Sequence, residues 1–188
     1  MRIISGIFKG KKILEPSDTK TRPLKDLTKE SIFNIINHSN KFKINLIKSN
    51  VLDLFSGVGS FGLECLSRGA KNVIFVENYF AVLPILKKNL LNLKSLKNYK
   101  IIEKDTYDKN LYSKIDTKFN VIFLDPPFND KNFNKILINI REFDLLDKKG
   151  IIIIHRHKKE KDNFSKNLRI IEEKKYGISK IFFLDYLN

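Results

Sequence analysis

Cysteine is almost missing from the 188-residue chain: Cys65 stands alone, which excludes an intrachain disulfide framework and suits a reducing compartment. No apolar run approaches the roughly 20 residues of a membrane span, and the N-terminus carries no signal-peptide hydrophobic region. A soluble, cytoplasmic protein is expected. Internal repeats and low-complexity linkers are absent as well. Acids are scarce, since 21 Asp and Glu face 36 Lys and Arg for a formal net charge of +15. That excess favours a polyanionic partner, because cations near phosphates release condensed counterions. Lys outnumbers Arg thirty to six, and Ile and Asn are abundant. AT-rich coding gives the same pattern on solvated faces, which weakens the charge argument.

With 42% hydrophobic residues, the length makes one ordinary globular domain with a full core and leaves no room for a second catalytic domain. Residues 1 to 30 hold eight Lys/Arg against four acids. The pattern from Arg2 to Leu14 reads as a small hairpin turning near Lys9-Gly10. Thr28 is expected to cap a helix whose apolar side is Ile32, Phe33, Ile35 and Ile36. These features divide the chain into a basic N-terminal extension, 1–40, and a main domain, 41–188. From Val51 onward apolar strands alternate with helical patterns, which predicts an α/β fold with a parallel sheet covered on both faces. Strands are expected at Val51–Leu54, Val73–Val76, Lys100–Glu103, Val121–Leu124 and Ile151–Ile154, and helices near Gly59–Arg68, Ala81–Leu93 and Phe133–Phe143. Leu168–Tyr176 and Ile181–Tyr186 follow one another across Gly177 with no helix between them, so an antiparallel hairpin should close the sheet.

The glycine loop Gly57-Val58-Gly59-Ser60-Phe61-Gly62 follows the first strand, and Glu77 ends the second. Glycines let backbone approach a ligand, and an acid about 20 residues on accepts ribose hydroxyls. By itself this fits NAD or S-adenosylmethionine. Asp53, inside the first strand, favours S-adenosylmethionine, because that position of a dinucleotide site usually stays apolar, whereas methyltransferases use an acid there to fix the loop. Phe55 and Ser56 complete the segment around the cofactor. Asp105, after the third strand, is placed to meet the cofactor adenine, or else caps a helix.

Asp125-Pro126-Pro127-Phe128 follows the apolar run ending at Leu124. Prolines have fixed φ and no N–H, so this rigid segment offers carbonyls and the Asp125 carboxylate as acceptors. An exocyclic base amine supplies the matching donors, with its ring stacked on Phe128. Asp53, Gly57, Glu77, Asp105 and Asp125 all fall at carboxyl ends of successive strands, where open α/β sheets bind ligands. Cys65 reads as core rather than as a nucleophile. His155 and His157 lack the further ligands a metal needs, and His155 either lines the cleft or, the favoured reading, is solvated or packed.

Several segments resemble the RsmD family of small-subunit ribosomal RNA guanine-N2 methyltransferases. They are Arg2-Ile3-Ile4-Ser5-Gly6 with Gly10-Lys11-Lys12; Arg22-Pro23 and Lys29-Glu30-Ser31-Ile32-Phe33-Asn34; Leu52 to Gly59; Gly62 to Ala70; Val76-Glu77; Asp125 to Phe128; and Lys175-Tyr176-Gly177. The resemblance spans nearly the whole chain. It implies a Rossmann-like class I methyltransferase sheet, S-adenosylmethionine as cofactor, and methylation of the N2 amine of a guanine in 16S ribosomal RNA, at about position 966. Asp125, Pro126, Pro127 and Phe128 would hold the amine and base, while Arg2, Lys9, Lys11, Lys12 and Arg22 would hold RNA phosphates. The small ribosomal subunit is then the partner, with no membrane and no metal, and the protein is expected to act as a monomer. Two positions depart from the family pattern. Lys29 stands where the family usually has Arg, losing a bidentate fork, and Tyr79 replaces an acid. Alternatives are an N6-adenine methyltransferase on DNA or RNA, an NAD-dependent oxidoreductase, and a non-catalytic RNA-binding subunit.

Overall fold

A computed structural model describes residues 1–16, 24–94 and 96–187. Its described residues form one seven-stranded sheet in the order β3-β2-β1-β4-β5-β7-β6. The strands are β1 (Asn50–Leu54), β2 (Asn72–Val76), β3 (Tyr99–Ile102), β4 (Phe119–Leu124), β5 (Leu146–His157), β6 (Leu168–Tyr176) and β7 (Ser179–Tyr186). β1 to β5 run parallel, while β7 pairs antiparallel with both β5 and β6. This is the Rossmann-like sheet with a terminal hairpin that the strand pattern predicts. The helices are α1 (Asp26–His38), α2 (Ser60–Ser67), α3 (Leu83–Asn92), α4 (Lys109–Tyr112) and α5 (Asn134–Glu142).

The pleat sorts the core into two layers, because successive strand side chains point to opposite faces. Val51, Val121, Phe123, Ile151 and Ile153 pack with α1, α2 and α3 on one face. Leu52, Leu54, Ile122, Leu124, Ile152 and Ile154 pack with α4 and α5 on the other. Burial on both faces explains why these strands read as continuous apolar runs. Aromatic stacking ties the first layer together, with Phe33 and Phe123 on either side of Phe61 at 5.1 and 4.1 Å between ring centroids.

The N-terminal hairpin exists in minimal form. A single antiparallel bridge joins Arg2 to Lys12, and Gly10 donates to the Ile3 carbonyl. Ile3 and Ile13 enter the same core layer as α1. Gly6 lies so close to α2 that an added Cβ would stand 1.9 Å from the Ser67 carbonyl oxygen. Thr28 does not cap α1. The helix begins two residues earlier, and Thr28 is buried within its first turns. The fifth strand is much longer than the apolar run because pairing with β7 carries it through His155, Arg156 and His157. The short α4, capped by the Asp108 side chain, is too brief to leave a periodic signal.

Candidate active site

A cleft of about 780 Å³ opens at the carboxyl ends of the parallel strands. Five carboxylates line it, Asp53, Glu77, Asp105, Asp125 and Asp130, and among the described residues no Lys or Arg does. In a chain of net charge +15, this local reversal of sign suits a ligand whose bound part is cationic and disfavours one carrying phosphates.

The turn after β1 is shaped by left-handed backbone. Phe55 has φ 57°, Gly57 φ 53° and Gly59 φ 86°. Such a conformation in a non-glycine residue costs about 1–3 kcal/mol and concentrates at functional sites. Gly57 donates its N–H to Glu77 Oε2 at 2.6 Å, while Asn78 and Tyr79 donate theirs to Oε1 at 2.9 and 2.8 Å. Glu77 is thereby aimed by backbone alone. The Gly57 amide that a dinucleotide site would offer to a pyrophosphate is turned to a carboxylate, an arrangement that speaks against NAD. Phe55, Ser56, Gly57 and Glu77 all line the cleft, and Gly59 forms the N-terminal cap of α2.

Asp53 is buried on the α2 side of β1 and accepts from Gly62 N–H at 2.9 Å. Gly62 must be glycine, because a Cβ there would meet the Phe75 ring at 2.2 Å. Strand, loop and helix are thus pinned by one carboxyl group. Burial pushes the Asp53 carboxyl well above its usual 3.8, with the Gly62 hydrogen bond pulling down and Asp125 and Glu77 pushing up. An acid raised on folding contributes stability that is full below its unfolded pKa and is lost as pH rises through the folded value. Asp53→Asn keeps an acceptor for Gly62 without the titration. Its urea midpoint should therefore fall less than the wild type's between about pH 4 and 8; parallel declines would refute this.

The Asp125 segment is held from two sides by neighbouring residues of β5. His155, on the same face as Asp125, places Nδ1 2.8 Å from Asp125 Oδ1 and Nε2 2.8 Å from Ser179 Oγ. Arg156 points to the opposite face, where it is fully buried. Its Nη1 donates to the Pro127 carbonyl at 3.0 Å and its Nη2 to the Asp130 carbonyl at 2.7 Å. Asp162 accepts from Arg156 Nε at 2.8 Å. Lys180 Nζ lies 3.0 Å from the other Asp162 oxygen, an ion pair without hydrogen-bond alignment. Phe128 meets His155 edge-on at 5.4 Å and His157 at 5.2 Å between ring centroids.

Asp105 lines the cleft but is exposed, and its Oδ1 accepts from Tyr107 N–H at 2.9 Å in a local turn. Tyr107 closes the rim by donating to Asp130, and it meets Phe55 at 6.0 Å. Burial and these carboxylates raise the Tyr107 phenol above its ordinary range. Arg2, Lys9, Lys11 and Lys12 are exposed on the N-terminal hairpin, outside the cleft lining. Lys11 Nζ donates to the Asn92 carbonyl at the end of α3. Arg22 lies outside the described residues; Leu24, just after them, lines the cleft. Lys29 is not a surface cation. It is fully buried, donates to the Arg2 carbonyl at 2.7 Å and lies 3.9 Å from buried Glu64, and burial lowers its ammonium.

Sequence reasoning missed Arg156, Tyr107 and Asp130, and it favoured a solvated or packed His155 over one lining the cleft. For His155 a signal existed, since it follows the apolar run of β5 at the ligand-binding end of the sheet. Arg156 had none, because the carbonyls it binds lie 26 and 29 residues away in sequence. Among the described residues, no group of three or more His, Cys, Asp or Glu could hold a metal, and no helix is long and apolar enough to cross a membrane.

The family model described as "Conserved hypothetical protein 95" matches residues 1–185. The chain is 34% identical over 184 residues to "Putative rRNA methyltransferase YlbH" of Bacillus subtilis, covering 96% of each. It is 32% identical over 179 residues to "Ribosomal RNA small subunit methyltransferase D" of Haemophilus influenzae, covering 95% of this chain and 90% of the relative. The solved Escherichia coli protein "Putative methyltransferase yhhF" superposes with a TM-score of 0.82 at 26% identity, over 99% of this chain and 97% of its own.

Proposed function

Since this chain belongs to the RsmD family, whose model spans residues 1–185, we propose that it transfers a methyl group from S-adenosylmethionine to the exocyclic N2 amine of a guanine in 16S ribosomal RNA, near position 966. The observation that carries the reading is the acid-lined cleft in which the Gly57–Glu77 contact and the Asp125-Pro126-Pro127-Phe128 segment face one space. S-adenosylmethionine brings a methyl group activated on a sulfonium, and its positive charge matches a lining of carboxylates that includes no Lys or Arg among the described residues. Glu77 would accept the ribose hydroxyls, Asp53 would keep the loop from Phe55 to Gly59 in place around the methionine portion, and Asp105 would meet the adenine. Asp125 and the Pro126 carbonyl would receive the two amine hydrogens and turn the nitrogen lone pair toward the methyl group. The Pro127 carbonyl is engaged by Arg156, which leaves Pro126 as the carbonyl for this role. Phe128 would support the base once it leaves its stack. Orientation of this kind can supply roughly 7–11 kcal/mol of the barrier.

Glu77→Ala should raise the cofactor Kd about 10- to 100-fold by calorimetry, the size expected from losing one or two charge-assisted hydrogen bonds. Exposed Arg2, Lys9, Lys11 and Lys12, with Arg22, would contact RNA phosphates. Changing Lys9, Lys11 and Lys12 together to Ala should raise the RNA KM and reduce its salt slope by about two to three units. An unchanged slope would assign that charge to solvated surface. The function itself is tested by incubating the protein with S-adenosylmethionine and small subunits from a host lacking this activity, followed by nucleoside mass spectrometry. N2-methylguanosine at one site is expected. N6-methyladenosine would transfer the enzyme to the adenine class, whose amine presents the same two donors.

A further inference from the structure

We propose that His155 is a positioning residue for the reaction: it fixes the rotamer of Asp125, so that one carboxylate oxygen is occupied by the protein and the other is presented to the substrate amine. This rests on the reading of Asp125 as the amine's acceptor.

The chemistry of the two ring contacts assigns the protons. A carboxylate only accepts, so the 2.8 Å contact to Asp125 Oδ1 requires a proton on Nδ1. In the neutral ring Nε2 then carries a lone pair, and Ser179 donates to it across 2.8 Å. The carboxylate thus selects the tautomer, and the hydroxyl, able to donate or accept, follows it. Both contacts are held by neighbouring strands. His155 sits in β5 opposite Ile181, and Ser179 opens β7 opposite His157, so the ring is placed by the sheet and not by a loop. His155 and Ser179 are buried, with 7% and 5% of their surfaces exposed, which keeps water from replacing either bond. Phe128 packs edge-on against the same ring. One imidazole therefore positions both parts of the substrate site, the acceptor for the amine and the aromatic surface for the base.

Without the ring, Asp125 would be free to rotate and its second oxygen would seldom meet the amine. Misplacement of about 1 Å costs on the order of 10²-fold in rate. The loss should fall on kcat, since His155 touches neither RNA backbone nor the Glu77 side of the cleft.

The test compares His155→Phe, which keeps the ring volume and the edge contact but removes both nitrogens, with His155→Asn, whose side-chain amide can donate from near the Nδ1 position. Methyl transfer to small subunits is measured alongside cofactor calorimetry and thermal melts. Expected are a fall in kcat of about 30- to 100-fold for His155→Phe, with cofactor Kd and RNA KM within threefold of wild type, and recovery to within about fivefold in His155→Asn. Independently of activity, ¹⁵N–¹H spectra of the cofactor-free wild type should show His155 as the Nδ1–H tautomer, a preference lost in Asp125→Ala. Retained kcat in His155→Phe, an equal loss in His155→Asn, or an Nε2–H tautomer would each overturn the proposal. Wild-type protein that methylates nothing would refute the functional reading alone, while the tautomer measurement would still decide the Asp125–His155 contact.

Discussion

Asp125→Ala is expected to lower turnover about 10³-fold, the upper range for removing one preorganised hydrogen-bonding group, with cofactor affinity within severalfold of wild type. The separation follows from the sheet. Asp125 extends from β4 and Glu77 from β2, and β1 lies between those strands. The carboxylates proposed to meet the amine and the cofactor ribose are therefore carried by different strands. Asp125 N–H does bond to the Leu54 carbonyl at 3.3 Å, but that is a backbone contact and survives the substitution. Removing the side chain takes away the His155 contact and the amine's acceptor together and leaves the glycine loop untouched. Calorimetry with S-adenosylmethionine, paired with single-turnover methyl transfer, measures both halves. If Asp125→Ala lost the cofactor as severely as Glu77→Ala, this division of roles would be wrong.

Arg156→Ala should cost about 3 kcal/mol of unfolding free energy, the lower end of the range for breaking a buried ion pair. The lower end applies because Lys180 remains beside Asp162 and the orphaned carboxylate keeps one cation. The loss has several parts: the bonds to the Pro127 and Asp130 carbonyls, the pair with Asp162, and the packing of the guanidinium over Phe133 at 4.7 Å. For a chain of this size such a change lowers Tm by roughly 6–12 °C. Arg156→Lys keeps charge but has no planar fork to span two carbonyls, and it should lie between wild type and Ala. Urea melts of the three proteins decide the matter, and a loss below about 1 kcal/mol in the Ala variant would mean that Lys180 and water compensate.

How much of this was legible in the sequence varies with the range of the interactions involved. β1, β2 and β4 were readable because strands buried on both faces are continuous apolar runs, and the hairpin of β6 and β7 because Gly177 separates two segments with no helical pattern between them. The boundaries of β5 were not, since its last residues are polar and are strand only through pairing with β7. At the site, Asp53, Glu77 and Asp125 were found because each ends or interrupts an apolar run. His155 was seen and read as solvated or packed; its contact with Asp125 depends on the register of β4 against β5, which no local pattern encodes. Lys29 shows the same limit from the other side. Its sequence position marks only a departure from the family's Arg, and only the meeting of α1, α2 and the N-terminal hairpin makes it a buried tie.

The reversal of sign between the protein's exterior and its cleft acts as a filter on what may enter. A polyanion drawn toward the exposed lysines gains Coulomb energy until its phosphates reach the rim, where Asp105, Asp125 and Asp130 oppose any deeper approach. A nucleobase carries no formal charge and meets no such barrier. The field therefore admits the base and holds its own backbone outside, sorting the parts of one nucleotide by charge before any hydrogen bond forms.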